Sequence, residues 1–184
     1  MQRSEELDLR EGYIYDPIVK GADATFWKNV TGTLTIASSL MRLNADRVAS
    51  YLQHKYGRLD MKVTIPNTPS GTESKIWGFR NPANPTAGSA YFEIAATVFK
   101  VVSYDNFGTA QSTTITWATP TWEANAIEYS INWERDQITF LIAGVVYAVH
   151  STRVGSLFQA VDLANADADN TDITYVQFSK TNVI

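Results

Sequence analysis

The sequence predicts an all-β protein, a two-sheet antiparallel sandwich, and three observations carry that prediction. The first is strict alternation. In residues 129–151, Tyr129, Ile131 and Trp133 alternate with Ser130, Asn132 and Glu134, and Ile138, Phe140 and Ile142 alternate with Thr139 and Leu141. Val145, Tyr147 and Val149 continue the pattern. A period of two marks half-buried strands, and "ERDQ" and "AG" between the runs are turns. The second is spacing: turn signals recur every roughly 8–12 residues, as in sandwiches and barrels. The third is composition. Aromatics make up 12% of 184 residues, with abundant Thr, Val and Ile, the residues that fit a pleated surface.

Taken in order, "EELDLR" alternates Leu7 and Leu9 with charges and reads as a first strand or arm, and "GYIYDPIVKG" is broken at Pro17. Residues 1–20 form an N-terminal arm and residues 21–184 the sandwich domain. The arm holds Tyr13, Ile14, Tyr15, Ile18 and Val19, which pack on their own sheet or add to a neighbouring subunit. Residues 32–71 are ambiguous. Leu40, Leu43, Val48, Tyr51 and Leu52 fit a helical stripe, but the segment has no good cap and strand-like sequence surrounds it. Short strands are the preferred reading, ending with Leu59, Met61, Val63 and Ile65 on one face. "NTPSGTES" and "NPANPTAGS" are loops around "KIWGF". "AYFEIAATVFKVVSYDNFG" is one long strand or two short ones, with a turn at residues 106–108. "STTITWATPTW" is another strand, "NADADNTD" a polar loop and "ITYVQFSK" the closing strand.

The totals exclude several classes. A net charge of -4 gives no basic footprint for nucleic acid. With no cysteine there is neither a disulfide framework nor a zinc–thiolate site. The charged start "MQRSEELDLREGYIYDP" has no apolar signal region, and no run has the length of a membrane span. These features point to a cytosolic origin and to a virion or extracellular surface reached without a signal peptide. "NVT" at residues 29–31 matches a glycosylation site by chance.

The order of features resembles the concanavalin A-like lectin/glucanase superfamily. The carrying residues are Tyr56-Gly57, the hairpin from Tyr129 to Trp133 and Ile138 to Gly144, and Ile173 to Val176 in the last strand. The resemblance spans roughly residues 25–180. It implies a jelly roll of two antiparallel sheets with one concave face, of the non-catalytic, laminin-G-like kind. Hydrolases of the superfamily carry alternating acids on one concave strand, and a retaining mechanism needs two carboxylates about 5 Å apart. The corresponding strand here has Glu93, but Ala95 and Thr97 stand where further acids belong.

The expectation is therefore a non-enzymatic interaction module, a homo-oligomeric phage virion surface protein such as a capsid decoration or fibre component, with other virion or surface proteins as partners. The alternative is a lectin for cell-surface glycans, and the remote alternative a glycoside hydrolase. Sugars stack on aromatic faces and bond to neighbouring polar groups, which singles out Trp77, Arg80 and Asn81 in "WGFRN" and Trp117 and Trp122 in "WATPTW". Against this, tryptophan in a sandwich is more often core, as expected of Trp27 and Trp133. Asp167, Asp169 and Asp172 are the candidate calcium ligands, although a solvated turn uses the same residue types. No other cofactor is implied. His54 and His150 do not form a metal site, and no nucleophile elbow occurs.

Overall fold

The computed structural model describes residues 12–15, 27–32, 35–37 and 40–180. Two antiparallel sheets face each other. One has seven strands in the order β10-β9-β8-β7-β14-β5-β2. These are β2 (Trp27–Thr31), β5 (Asp46–His54), β7 (Ser74–Phe79), β8 (Ala90–Ala95), β9 (Val98–Tyr104), β10 (Ala110–Ile115) and β14 (Gln159–Asn165). The other runs β13-β12-β11-β6-β15-β4-β3, with β1 beside β15 as its eighth strand. Its strands are β1 (Gly12–Tyr15), β3 (Thr35–Ala37), β4 (Leu40–Leu43), β6 (Gly57–Thr64), β11 (Ala126–Trp133), β12 (Ile138–Ile142), β13 (Val145–His150) and β15 (Thr171–Ser179). Among the described residues there is no helix, so none is long and apolar enough to cross a membrane.

The ambiguous region is strand, β4 and β5, as its uncapped pattern suggested. "AYFEIAATVFKVVSY" is two strands. Ala96, at φ 53°, makes the turn between β8 and β9, which removes Thr97 from the strand face. Of the arm, "EELDLR" and residues 16–20 lie outside the described residues. Gly12 to Tyr15 pair antiparallel with Ser179 to Val176, within the chain's own sheet.

Alternation puts every second side chain between the sheets, and aromatics dominate what meets there. Trp77 stacks on Phe92 at 5.9 Å and Phe99 at 5.8 Å, and meets the edge of Tyr129 at 5.1 Å. Phe79 packs on Trp133 at 5.3 Å, and Phe140 on Phe92 at 5.5 Å. Each such pair adds about 0.5–1.5 kcal/mol beyond the area it buries. Trp27, Trp133, Ile138, Phe140 and Ile142 are all buried, as their spacing predicted.

One open edge of the sandwich is clasped by a buried imidazole. His150, on β13, lies 2.9 Å from Ser103 Oγ on β9 through Nδ1 and 3.0 Å from Thr113 Oγ1 on β10 through Nε2. It thereby ties the edge strands of the two sheets together. Burial lowers its pKa to about 4, and lowers that of His54 to about 4 as well. Both histidines are therefore neutral in the fold, whereas in the unfolded chain they take up protons near pH 6.5. Their contribution is complete above pH 6.5 and is lost as the pH falls toward 4, about 3 kcal/mol for His150 alone. Denaturant midpoints should fall across that window, and His150→Gln, which keeps hydroxyl partners, should flatten the fall. A pH-independent midpoint between 7 and 4 would refute this.

Candidate functional site

The outer face of the seven-stranded sheet is built by the residues that alternate away from the core. On β8 these are Tyr91, Glu93 and Ala95, because Phe92 and Ile94 point inward. Register then sets the rows. Glu93 lies beside Lys100 on β9 and Ile76 on β7. Tyr91 lies beside Gly78, which lies beside Asp162 on β14, which lies beside Ala49 on β5. The floor between these rows is made of small residues: Ala49, Gly78, Ala160 and Ala164. Gly78 has φ 152°, and a Cβ there would stand 2.6 Å from Tyr91 Cα, so no larger residue fits this close strand contact.

Two hollows open on this face. One, of about 530 Å³, is lined by Lys28, Ala49, Tyr51, Gln53, Asn81 and Ala160 among others. The other, of about 510 Å³, is lined by Thr31, Asp46, Arg47, Ile76, Arg80 and Ala164 among others. Ala160 belongs to the first and Ala164 to the second, about 13 Å apart along β14. Tyr51 is 57% exposed beside the first hollow, a flat platform on an otherwise small-residue surface. Phe158, on the loop entering β14, is also largely exposed.

Asp162 organises the centre. Its carboxylate is fully buried and takes two hydrogen bonds from Arg47, Nε at 2.8 Å and Nη2 at 2.6 Å, with Arg80 Nη1 at 3.5 Å. The Arg80 guanidinium lies over the Tyr91 ring at 5.4 Å, and Tyr91 stacks on Tyr104 at 6.4 Å. Burial, then the neighbouring Tyr104 and Glu93, raise the Tyr91 pKa, so its phenol stays protonated. Glu93 forms an ion pair with Lys100 at 3.0 Å. The Glu93 and Asp162 Cα atoms are two strands and two residues apart, about 12 Å. No second carboxylate accompanies Glu93 on β8.

The candidates drawn from sequence divide between this face and the core. Trp77 is 1% exposed and Trp122 4%, and Trp117 is half-buried against Trp122 and Phe99. Trp77 and Trp122 thus lie inside the sandwich, while Trp117 packs against the core and stays partly exposed. Arg80 and Asn81 do border the hollows. The three aspartates do not form one site. Asp167 accepts from the Ser74 N–H at 2.5 Å and lies 3.5 Å from Lys75 Nζ, Asp169 accepts from Asn67, and Asp172 holds Arg42 with two 2.8 Å bonds. Asp172 belongs to β15 rather than to the loop. Among the described residues no cluster of acids and histidines is arranged to hold a metal ion. Tyr51, Arg47 and Asp162 were not anticipated, although an acid inside the apolar run "QAVDLAN" was a visible signal.

No family model and no curated protein matches the chain. Solved structures do match its fold. The Bacillus licheniformis β-glucanase superposes with a TM-score of 0.72 at 13% identity, over 92% of this chain and 98% of that one. The apo Crh5 transglycosylase gives 0.74 at 13%, over 94% and 85%. SCLam, a non-specific endo-β-1,3(4)-glucanase of family GH16, gives 0.71 at 13%, over 92% and 90%. The expectation of a non-enzymatic phage virion component is corrected by these neighbours, which are glucanases and a transglycosylase. The chain has the all-β, concanavalin A-like jelly-roll fold that they share.

The Asp162 cluster makes a stability prediction. Arg47→Met leaves a buried carboxylate short of its main partner and should cost about 3–5 kcal/mol in denaturant unfolding. Arg47→Met with Asp162→Leu should recover most of that loss. Equal losses in the single and double variants would show that the pair does not act as a unit.

Proposed function

We propose that this chain is a carbohydrate-active protein on the glucanase architecture. An extended polysaccharide lies along the outer face of the seven-stranded sheet, and Glu93 is the carboxylate that acts on its glycosidic bond. The observation that carries this reading is the exposed Tyr51 ring beside a small-residue floor on the same sheet face as Glu93. A flat ring next to a shallow hollow suits a pyranose, whose apolar face stacks while its hydroxyls reach Gln53, Asn81 and Lys28. The glucanases and the transglycosylase among the structural neighbours support the enzymatic part.

The chemistry follows from what stands beside Glu93. A retaining pair needs two carboxyl groups about 5 Å apart, and Tyr91 and Ala95 occupy the flanking outward positions. Glu93 therefore acts as a base. It takes a proton from a water whose oxygen bonds to the anomeric carbon while the glycosidic C–O bond breaks, and solvent protonates the departing oxygen. This route inverts the anomeric centre. It is slow, because among the described residues no carboxylic acid beside Glu93 is placed to assist the leaving group.

The test is release of reducing ends from β-1,3- and β-1,4-linked glucans, run beside binding by calorimetry. Glu93→Gln should lower turnover about 100-fold or more and leave affinity within twofold. Tyr51→Ala should weaken binding about fivefold without unfolding the chain. Turnover unchanged in Glu93→Gln would sink the catalytic assignment, and binding unchanged in Tyr51→Ala would sink the platform.

A further inference from the structure

We infer that the second hollow, between Arg47 and Arg80, selects a polysaccharide unit bearing an anionic group, a carboxylate or a sulfate ester. This rests on the reading that the grooved face takes a polysaccharide, and it names the class of sugar. Four observations lead to it.

The hollow presents two guanidinium groups, Arg47 and Arg80, which among the described residues share the Asp162 carboxylate. Arg47 is committed through Nε and Nη2. Arg80 contributes a single long contact of 3.5 Å, and its Nε–H has no acceptor. Guanidinium donors in a fixed fork match a carboxylate or sulfate better than they match neutral hydroxyls.

The local charge runs against the whole. At the second hollow Arg47 and Arg80 balance Asp46 and buried Asp162, a local charge of zero where the chain as a whole carries -4. Asp46 is engaged, accepting from the Asn44 N–H at 3.2 Å. Glu93 and Lys100, further along the face, satisfy each other.

The cations are held in place. Arg47 is anchored by two short bonds to a buried carboxylate, and Arg80 is braced on the Tyr91 ring. Little side-chain entropy is therefore lost when an anion arrives. The hollow itself, at about 510 Å³, has the size of a small-ligand site and otherwise offers Thr31, Ser74, Ile76, Ala164 and the already engaged carboxylate of Asp46.

The experiment compares oligosaccharides of equal length from three sources with the full chain: oligogalacturonates, sulfated galactans and neutral β-glucans. Calorimetry is run at low salt and near 0.5 M salt. One anionic class should bind about tenfold more tightly than the neutral one, the gain of one charge-assisted contact. The advantage should shrink at high salt, where exposed charges are screened. Arg80→Gln should remove the preference, bringing the anionic oligosaccharide down to the affinity of the neutral one. Because that variant disturbs the Asp162 cluster, Arg80→Lys, which keeps the charge but loses the planar fork, serves as a second and milder one and should reduce the preference about twofold to threefold. Oligogalacturonate preference assigns a carboxylate and sulfated-galactan preference a sulfate ester. Neutral glucans binding as tightly as both would overturn this inference and leave the polysaccharide reading standing. Binding of none of the three would remove both.

Discussion

The aromatic cluster between the sheets is the constraint on which the rest of the molecule depends. Trp77 is its centre, touching Phe92 and Phe99 from its own sheet and Tyr129 from the opposite one. A sandwich without helices has only inward-facing strand positions from which to build a core. Filling a layer about 10 Å thick calls for large side chains. Loss of one such indole costs about 3–5 kcal/mol, a large part of a domain's net stability. The inward positions of β7, β8 and β11 are thereby committed to packing. Any site must be made from the outward positions of the same strands.

That division explains the outer face. Because Phe92 and Ile94 must face inward, Tyr91 and Glu93 face outward. Because Leu163 and Val161 face inward, Asp162 faces outward. A carboxylate in the middle of a seven-stranded sheet is shielded from water by its neighbours, and such a group is tolerable only when paired. Arg47 supplies the pairing from the adjacent strand, and Arg80 from the residue just past the end of β7. The same pairing that makes Asp162 tolerable fixes two guanidinium groups beside a hollow. The pairing that burial of the acid demands and the proposed recognition of an anion are thus two consequences of one arrangement.

The fold was readable in the sequence because it depends on alternation, which is local. Ile131, Trp133, Ile138 and Phe140 declare their side of the sheet without knowledge of any partner strand. The short strands of residues 40–54 were readable for the same reason, once the absence of a cap set the helical stripe aside. The site was less readable because it depends on register, which is not local. Nothing in "WGFRN" tells that Trp77 faces inward and Arg80 outward, or that Arg80 meets an acid 82 residues away. Tyr51 reads as one more apolar strand residue until the bulge at Ala160/Asp162 and the packing of β14 leave its ring outside. The reading of Glu93 as a lone acid survives, because Ala95 is a plain fact of sequence. What failed was the step from a lone acid to a protein without enzymatic chemistry.

The loop that holds the candidate calcium ligands shows how a charge requirement can be met from within the chain. Asp167 stands at one end of the sandwich, where β7 and β14 leave the core. There Lys75, with no exposed side-chain surface, brings its ammonium 2.9 Å from Glu73, 3.0 Å from Asn165 Oδ1 and 3.5 Å from Asp167. Burying an ammonium costs several kcal/mol unless oxygens replace the water it gives up. Two carboxylates and an amide oxygen do so here, and Asp167 also accepts the Ser74 N–H at the start of β7. Asp167 is therefore spent on an internal cation and a strand end, while Asp169 and Asp172 face other partners on Asn67 and Arg42. An aspartate-rich loop has the composition of a metal site and of a self-satisfied turn alike. The distinction lies in where the nearest cation already is, and in this chain it lies on the strand that the loop packs against.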